Sequence, residues 1–215
     1  MKKGLIIVGA GGFGRELLSF ISQHNYERDD WVFAGFLDDN PNNLEPFGLS
    51  HYWLDHIQSH VPSNEYVYLI AVAHPGSRET IFTKLNNAGA SFINYFSNSA
   101  VIGTRVQIGV SCIVLHNSIV STDSLIGDAV IINSFCSVGH DTKISSFVTL
   151  SGHCDVTGGV SIGKGAFLAS SVSIAPKKKI GENASVGIGS VIIKNVKANT
   201  TVFGNPAKAL FVSDN

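Results

Sequence analysis

The sequence lacks the features that usually identify nucleic-acid-binding and membrane proteins. Its 15 Lys and Arg residues are balanced by 16 Asp and Glu residues, for a formal net charge of −1, which argues against nucleic acid or an anionic membrane as the main partner. No stretch approaches the roughly 18 apolar residues of a membrane-spanning helix. The apolar run that follows Met1 is too short for a signal peptide. We therefore expect a soluble, cytoplasmic protein.

Cysteine is also scarce, because Cys112, Cys136 and Cys154 are the only three. They form neither a CxxC pair nor any other spacing typical of a zinc site, so no metal is expected. We predict that all three are free thiols in a core.

A six-residue repeat fills the chain from Ile102 onward. The position two residues before each aliphatic residue of the repeat is small or β-branched almost every time, with Lys178 as the exception, and glycine often follows the aliphatic residue. Neither a helix nor an ordinary strand has period six, whereas a hexapeptide β-helix does. The sixteen aliphatic positions are Ile102, Ile108, Val114, Val120, Ile126, Ile132, Val138, Ile144, Leu150, Val156, Ile162, Leu168, Ile174, Ile180, Val186 and Ile192.

The period predicts the geometry of this β-helix. Three hexads would close one triangular coil, so sixteen hexads give about five coils, stacked at roughly 4.8 Å. The aliphatic residues would point inward, the small residues would fill the corners, and the glycines would relax the turns. Cys136 and Cys154, which are three hexads apart, would then be stacked neighbours.

The first 95 residues follow a different pattern. Residues 3–9 resemble a buried strand, and the glycine-rich GAGGFG from Gly9 to Gly14 leads into an amphipathic helix. A second strand ends at Asp38 and Asp39, and a third precedes another helix. This alternation predicts a small α/β domain with a parallel sheet, about half of a Rossmann-like dinucleotide-binding fold.

The glycine-rich turn allows several interpretations. Its glycines permit close backbone approach, and the helix N-terminus offers N–H groups to a phosphate. Asp38 and Asp39 stand near the position of the ribose-binding acid in a dinucleotide fold. A tight turn without a ligand is one alternative, and NAD is another. Because about 95 residues are too few for the six-stranded dinucleotide domain, we favour a nucleotide or nucleotide sugar.

Several motifs together give the chain a resemblance to a known family. They are GAGGFGRE near the N-terminus, FLDD after the second strand, the hexapeptide coils, Asn133 upstream of the GHD that contains His140, and FGNPAK near the C-terminus. The chain resembles bacterial nucleotide-sugar acyltransferases of the left-handed β-helix class, which include amino-dideoxy sugar N-acetyltransferases and sialic acid O-acetyltransferases. The resemblance implies acetyl-CoA as cosubstrate and a homotrimer with active sites between subunits.

The resemblance also implies a domain organisation. Residues 1–95 would bind the nucleotide sugar, residues 96–200 would form a left-handed parallel β-helix that carries the acyltransferase site, and residues 201–215 would lie near the coenzyme. The residues implied to contact the substrate are Gly11, Gly12, Phe13, Asp38, Asp39, Ala73 and Asn133. Those implied to contact the coenzyme are Thr149, Ser170, Gly187, Asn205, Pro206 and Lys208.

Thr149 departs from the pattern of the family. Many relatives have a second histidine at this position, downstream of the catalytic one. A hydroxyl donates the same kind of hydrogen bond but carries no charge, so an acid-base role of this position is in doubt. His153 could partly replace the missing histidine, although a corner or surface histidine without a role is the alternative.

His140 and Asp141 interrupt a run of small and aliphatic residues, and acyl transfer gives both a purpose. An amine that attacks a thioester needs a base for its proton and a donor for the developing oxyanion. An ordinary imidazole, with a pKa near 6.5, suits the first task at neutral pH. Asp141 could orient the imidazole. Strand alternation would point the two side chains to opposite faces, so their contact requires a turn.

The alternative interpretation is that His140 is a histidine without a catalytic role, at a corner on the solvated surface. His116 occupies the same position of the hexad on another face and lacks a following acid, so it serves as an internal comparison.

We therefore predict an acetyl-CoA-dependent N-acetyltransferase that acts on a dTDP- or UDP-linked 4-amino-4,6-dideoxy sugar in O-antigen or glycan biosynthesis. The sugar amine would attack directly, with His140 as general base and no covalent enzyme intermediate. Two alternatives stay open at this point. One is O-acetylation of sialic acid, and the other is a non-catalytic hexapeptide scaffold or a protein that binds metal through histidines of several subunits.

Overall fold

The computed structural model describes residues 2–23 and 31–210, which divide into two compact units, Met1–Asn94 and Tyr95–Asn215. In the described part of the chain, no helix combines the length and the apolar character that crossing a bilayer requires.

The first unit is a small α/β unit with one parallel sheet in the order β3-β2-β1-β4. The short edge strand β3 was not predicted, because so few residues cannot show an alternating pattern. The elements are β1 (Lys3–Val8), α1 (Gly12–Gln23), β2 (Trp31–Leu37), two 3₁₀ helices (Pro41–Phe47 and Ser50–Tyr52), β3 (Trp53–Asp55), β4 (Tyr66–Ile70) and α2 (Pro75–Asn87).

The central strand β1 is the core of this unit. Its residues 5–8 are almost completely buried, as expected for a parallel strand with a neighbour on each side. Leu17 and Ile21, one helical turn apart on α1, are also buried. In register, Val8 at the end of β1 pairs with Leu37 of β2 and Ile70 of β4. The carboxyl ends of these three strands therefore meet at one edge of the sheet.

The second unit consists of very short strands separated by turns. The strands are β5 (Tyr95–Phe96), β6 (Val101–Ile102), β7 (Gln107–Ile108), β8 (Ile113–Val114), β9 (Ile119–Val120), β10 (Leu125–Ile126), β11 (Ile131–Ile132), β12 (Ser137–Val138), β13 (Lys143–Ile144), β14 (Thr149–Leu150), β15 (Asp155–Val156), β16 (Ser161–Ile162), β17 (Phe167–Leu168), β18 (Ser173–Ile174), β19 (Lys179–Ile180), β20 (Ser185–Val186), β21 (Val191–Ile192), β22 (Thr201–Phe203) and β23 (Lys208–Ala209).

These strands form the three faces of a triangular β-helix. Face 1 contains β7, β10, β13, β16 and β19, face 2 contains β5, β8, β11, β14, β17, β20, β22 and β23, and face 3 contains β6, β9, β12, β15, β18 and β21. Within the repeat, each strand pairs in parallel with the strand three hexads away, as Ile126 does with Ile144. The predicted coil of three hexads is confirmed. The fold is the predicted one, an α/β unit followed by a left-handed parallel β-helix.

The aliphatic residues of the repeat fill the interior. All of them from Val114 to Ile192 are buried, whereas Ile102 and Ile108, in the first coil, are only partly buried. The small position before them also links the coils. Cys112, Ser118 and Cys136 donate through Sγ or Oγ to backbone carbonyls in the next coil, at 3.0, 2.7 and 3.1 Å. The three cysteines are buried and free, as predicted.

The glycines after the aliphatic residues serve a purpose different from the predicted one. The left-handed backbone lies two positions further on, at residues such as Asp141 (φ 58°). By contrast, Gly127 and Gly139 lie so close to the next coil that a Cβ atom would stand 2.5 Å from the amide nitrogens of Ser146 and Gly158. Close contact between coils therefore selects glycine there, and the turns tolerate other residues.

Candidate active site

Most of the predicted site residues in the β-helix lie on two of its three edges. The His140 edge, where face 3 meets face 1, contains the turns 104–105, 122–123, 140–141, 158–159 and 176–177. The Asn133 edge, where face 2 meets face 3, contains the turns 116–117, 134–135, 152–153, 170–171 and 188–189.

His140 and Asp141 form a hydrogen-bonded pair on the His140 edge. The left-handed backbone of Asp141 turns the two neighbouring side chains toward each other, and His140 Nδ1 lies 2.7 Å from Asp141 Oδ2. The carboxylate accepts a hydrogen bond from Nδ1–H, so the free lone pair of the neutral ring is on Nε2. Both side chains are about two-thirds exposed. The arrangement is that of a base with its orienting acid.

The imidazole of His140 lies against Gly158, one coil further along the same edge. A Cβ atom on Gly158 would stand 2.7 Å from Nε2 and 2.9 Å from Cε1. The absence of a side chain at Gly158 therefore makes room for the ring. His116, by comparison, is followed by Asn117, which has the same left-handed backbone (φ 56°) but no carboxylate.

The Asn133 edge holds Asn133 and most of the residues predicted to contact the coenzyme. Asn133 directly precedes the turn 134–135, Ser170 lies in the turn two coils later, and Gly187 lies three coils after Asn133. Gly187 faces the ring of Phe203 on β22. The segment that contains Asn205, cis-Pro206 and Lys208 reaches the same edge, since the Ala207 N–H donates to the carbonyl of Val191 at 2.9 Å.

Thr149 and His153 do not join His140 within one chain. Thr149 is on face 2, opposite the His140 edge, and is only 3% exposed. His153 is on the Asn133 edge, where its ring stacks on that of Phe135 with centroids 4.9 Å apart and planes 5° apart. Coenzyme contacts by Thr149 and His153 stay predictions.

In the α/β unit, the predicted substrate residues share the edge at which β1, β2 and β4 end. Gly11 and Gly12 are exposed, and a Cβ atom on either would meet nothing within 4 Å, so their backbone is open to a ligand. Phe13 follows in the first turn of α1. Asp38 and Asp39 follow β2, and Ala73 follows β4. The topological position suits a ligand at the carboxyl ends of parallel strands.

The carboxylate of Asp38 is already occupied by the protein. Its Oδ2 accepts from the Ala10 N–H at 2.7 Å, and its Oδ1 accepts from the Asn40 N–H at 2.8 Å and from Asn43 Nδ2 at 3.1 Å. Asp38 thus ties the glycine-rich loop to the segment after β2. Asp39, which is exposed, accepts from the Gln58 N–H at 3.1 Å.

Two arginines at this edge were not predicted from the sequence as site residues. Arg15 lies 3.7 Å above the ring of Phe47 and donates to the carbonyl of Ala10 at 3.1 Å, which puts a cation beside the glycine-rich loop. The buried Arg78 donates to the carbonyl of Ala73 at 2.8 Å. The pattern GAGGFGRE contains Arg15, but its partner Phe47 lies beyond the second strand and no local pattern connects them.

A metal centre is not evident in the described residues. In residues 2–23 and 31–210, no three His, Cys, Asp or Glu side chains are grouped so that they could hold a metal ion.

Comparisons with known proteins agree with this architecture. Residues 4–85 match the family of the PglD N-terminal domain. No curated protein sequence matches the chain significantly. Among solved structures, WeeI from Acinetobacter baumannii AYE is 26% identical, with a TM-score of 0.83 over 97% of this chain and 100% of that one.

Two further structures have 24% identity to the chain. One is a histidine-to-asparagine mutant of perosamine N-acetyltransferase from Caulobacter crescentus in complex with CoA and GDP-perosamine, with a TM-score of 0.82 over 97% of both chains. The other is the acetyltransferase domain of PglB from Neisseria gonorrhoeae FA1090 in complex with acetyl coenzyme A, with a TM-score of 0.83 over 98% of this chain and 100% of that one. The chain therefore shares the fold of these structures over nearly its whole length, and its first part resembles the PglD N-terminal domain.

We predict that Asp38→Ala destabilises the α/β unit more than Asp39→Ala does. Loss of the Asp38 carboxylate leaves the buried Ala10 N–H without its acceptor, at a cost of about 2 kcal/mol, whereas the exposed Asp39 should contribute less than about 1 kcal/mol. Urea unfolding followed by tryptophan fluorescence measures this, because Trp31 and Trp53 are the only tryptophans and both are in this unit. Equal losses for the two variants would contradict the assignment.

Proposed function

We propose that the chain transfers the acetyl group of acetyl-CoA to the amino group of a nucleotide-linked 4-amino-4,6-dideoxy sugar. The observation that carries the proposal is the His140–Asp141 pair, joined at 2.7 Å on an exposed edge of a β-helix with the fold of sugar N-acetyltransferases. Both substrates are metabolites of the cytoplasm, where we expect the protein to act. The biosynthesis of O-antigen or another glycan is the expected context.

His140 supplies the base for this reaction. Nε2 accepts a proton from the sugar amine as the nitrogen attacks the thioester carbonyl, so that a C–N bond forms and the C–S bond breaks. The protonated imidazole then returns the proton to the leaving CoA thiolate. Asp141 is a positioning residue, because its carboxylate holds Nδ1–H and stabilises the imidazolium that forms in between. No covalent enzyme intermediate is needed.

The α/β unit would hold the nucleotide end of the substrate. The open backbone at Gly11 and Gly12, next to the guanidinium of Arg15, suits a diphosphate. Phe13, Asp39 and Ala73 would contact the sugar, ribose or base. We assign Asp38 an indirect role, since its carboxylate holds the loop in place.

The coenzyme would lie along the Asn133 edge. Ser170, Gly187 and the segment 205–208 line this edge in consecutive coils, and Asn133 would contact the sugar at its start. Within one chain, face 3 separates the Asn133 edge from His140. A site that uses both edges at once therefore requires the His140 edge of one subunit to meet the Asn133 edge of another.

A homotrimer would satisfy this requirement, and face 3 offers a surface for it. Val101 and Ile119 on this face are 55% and 48% exposed, and Ile193 and Phe135 at its borders are 49% and 53% exposed. Apolar side chains of this size on a flat sheet are typical of a surface that packs against another subunit. A three-fold arrangement would repeat the shared site three times.

We predict turnover of an amino sugar nucleotide that depends on His140. Thiol release from acetyl-CoA is measured with 4-amino-4,6-dideoxy sugars linked to dTDP, UDP and GDP and with free sialic acid. Loss of the general base in His140→Ala should lower kcat/KM by ~10²-fold or more, whereas His116→Ala should leave it unchanged. Turnover of sialic acid alone would replace the proposal by O-acetylation, and no turnover of any acceptor would contradict an acetyltransferase.

Gly158→Ala should reduce activity with little effect on stability. The new methyl group would stand 2.7 Å from Nε2 and push the exposed His140 ring away, which we expect to lower kcat/KM about 10-fold. Gly152→Ala, at the same position of the previous hexad, would meet only Ser134 O at 3.5 Å and serves as the stability reference in thermal unfolding.

The double variant His140→Ala/Gly158→Ala separates this effect from a general one. If Gly158 acts only through the imidazole, the double variant should be no less active than His140→Ala alone. An additional loss in the double variant would show that Gly158→Ala damages the site in another way.

The trimer predicts a specific effect of charge on face 3. Sedimentation equilibrium should give three times the chain mass of 22.9 kDa for the unmodified protein, and Ile119→Lys should dissociate it and abolish acetyl transfer. Leu125→Lys, at the same hexad position on face 1, is the matched control and should leave the trimer intact. A fully active monomer would contradict the shared site, and dissociation by Leu125→Lys alone would assign the interface to face 1.

A further inference from the structure

An ion pair lies on the His140 edge directly before the His140–Asp141 turn. Asp123 occupies the turn one coil earlier, at the position equivalent to Asp141, and Arg105 occupies the same position two coils earlier. The guanidinium binds the carboxylate with two contacts, Nε to Oδ1 at 2.6 Å and Nη2 to Oδ2 at 2.8 Å. This fork geometry is the most specific one available to an arginine and a carboxylate.

Backbone hydrogen bonds connect this ion pair to the candidate base. The Asp141 N–H donates to the carbonyl of Thr122 at 3.2 Å, and the Asp123 N–H donates to the carbonyl of Thr104 at 3.2 Å. Thr122 Oγ1 also donates to Thr104 O at 2.7 Å and accepts from Arg105 Nη2 at 3.1 Å. The three turns therefore form one hydrogen-bonded ladder, in which the Asp123 carboxylate stands one step before the imidazole.

The electrostatics of Asp123 reflect both neighbours. The hydrogen bond and charge of Arg105 lower the pKa of the Asp123 carboxyl below its ordinary value, and a smaller contribution comes from His140. Asp123 and Asp141 hold equivalent positions in stacked turns, so two carboxylates lie along this edge in the turns at and next to His140. The charged groups on the elements packed around His140 are Asp141 in its own turn, Asp123 and Arg105 in the preceding turns, Lys177 two turns later, Asp155 on β15 and Lys143 on β13.

We propose that Arg105 and Asp123 are positioning residues for the base. Asp123 supplies a second negative charge beside His140, and Arg105 limits how much of that charge the imidazole experiences. The proposal rests on the proposed function, because it concerns the protonation of the same histidine. Without Arg105, two unneutralised carboxylates, Asp123 and Asp141, would stand on this edge, and a nearby negative charge favours the charged form of an imidazole over the neutral form. The ion pair thus keeps His140 available as a base.

The two partners should shift the pH dependence in opposite directions. Asp123→Asn removes a negative neighbour and leaves the Arg105 cation, so the imidazolium becomes less favourable and the acid limb of kcat/KM moves to lower pH. Arg105→Gln leaves the Asp123 carboxylate unpaired, so the limb moves to higher pH. Water screens an exposed charge on a neighbouring turn, so we expect each shift to be at most about half a pH unit, which is at most about a threefold change in kcat/KM on the acid limb.

The experiment compares these variants with three controls. Arg105→Lys keeps the charge and should keep the limb close to its original position. The double variant Arg105→Gln/Asp123→Asn removes both charges, so the acid limb should return close to its original position. Glu182→Gln removes an exposed carboxylate on the third edge of the β-helix and should have no effect. A purely structural role of the ion pair would lower the rate at every pH without moving the limb.

A second measurement does not need turnover. The titration of the His140 ring is followed by NMR through its Cε1–H resonance, which is assigned by its disappearance in His140→Ala. Shifts of opposite sign in Asp123→Asn and Arg105→Gln support the proposal even if the acceptor sugar has been misassigned. Shifts of the same sign, or no shift in folded variants, would overturn the proposed role of the ion pair. If the unmodified protein transfers no acetyl group, only the proposed function is overturned.

Discussion

The hydrogen-bonded register between equivalent residues of successive coils is the constraint on which the β-helix depends. Each of its very short strands is unstable alone, and it persists because it pairs with the coils before and after it. The register stacks identical hexad positions, so one inward aliphatic residue per hexad builds a continuous core. It also explains why the small positions hold Cys and Ser, whose side chains donate to the next coil.

The same register decides how chemistry can be built on the protein. Equivalent residues of successive coils become neighbours on one edge, so a side chain is surrounded by residues from distant parts of the sequence. Asp141 in the same turn binds the His140 ring, Gly158 in the next coil leaves room for that ring, and Asp123 in the previous coil is a charged neighbour. These positions surround the imidazole, although only Asp141 is adjacent in sequence. The edges are therefore the parts of this fold at which a site can be assembled from few residues.

Prediction from sequence succeeded where a residue's role depends on its position in a repeat. The buried aliphatic residues, the coil of three hexads and the free thiols all follow from periodicity, and the contact between His140 and Asp141 required a turn that the structure contains. Prediction from sequence failed where the role of a residue depends on its contacts with another segment of the chain. The glycines were assigned to turn flexibility, although they are selected by the approach of the next coil, and the hydrogen bond of Asp38 to the glycine-rich loop was not predicted. The contact of Asp38 with the substrate stays a prediction.

By itself, the sequence determined the fold class of both parts of the chain, the inward positions of the β-helix and the identity of the candidate base. Those properties follow from local patterns, because hydrophobic periodicity and turn chemistry act over a few residues. Only the tertiary structure decided which residues share an edge: it separated Thr149 from His140, aligned Asn133 with Ser170, and joined Arg105 to Asp123. These relations depend on distances between coils, which are set by strand pairing across whole coils and which no short stretch of sequence contains.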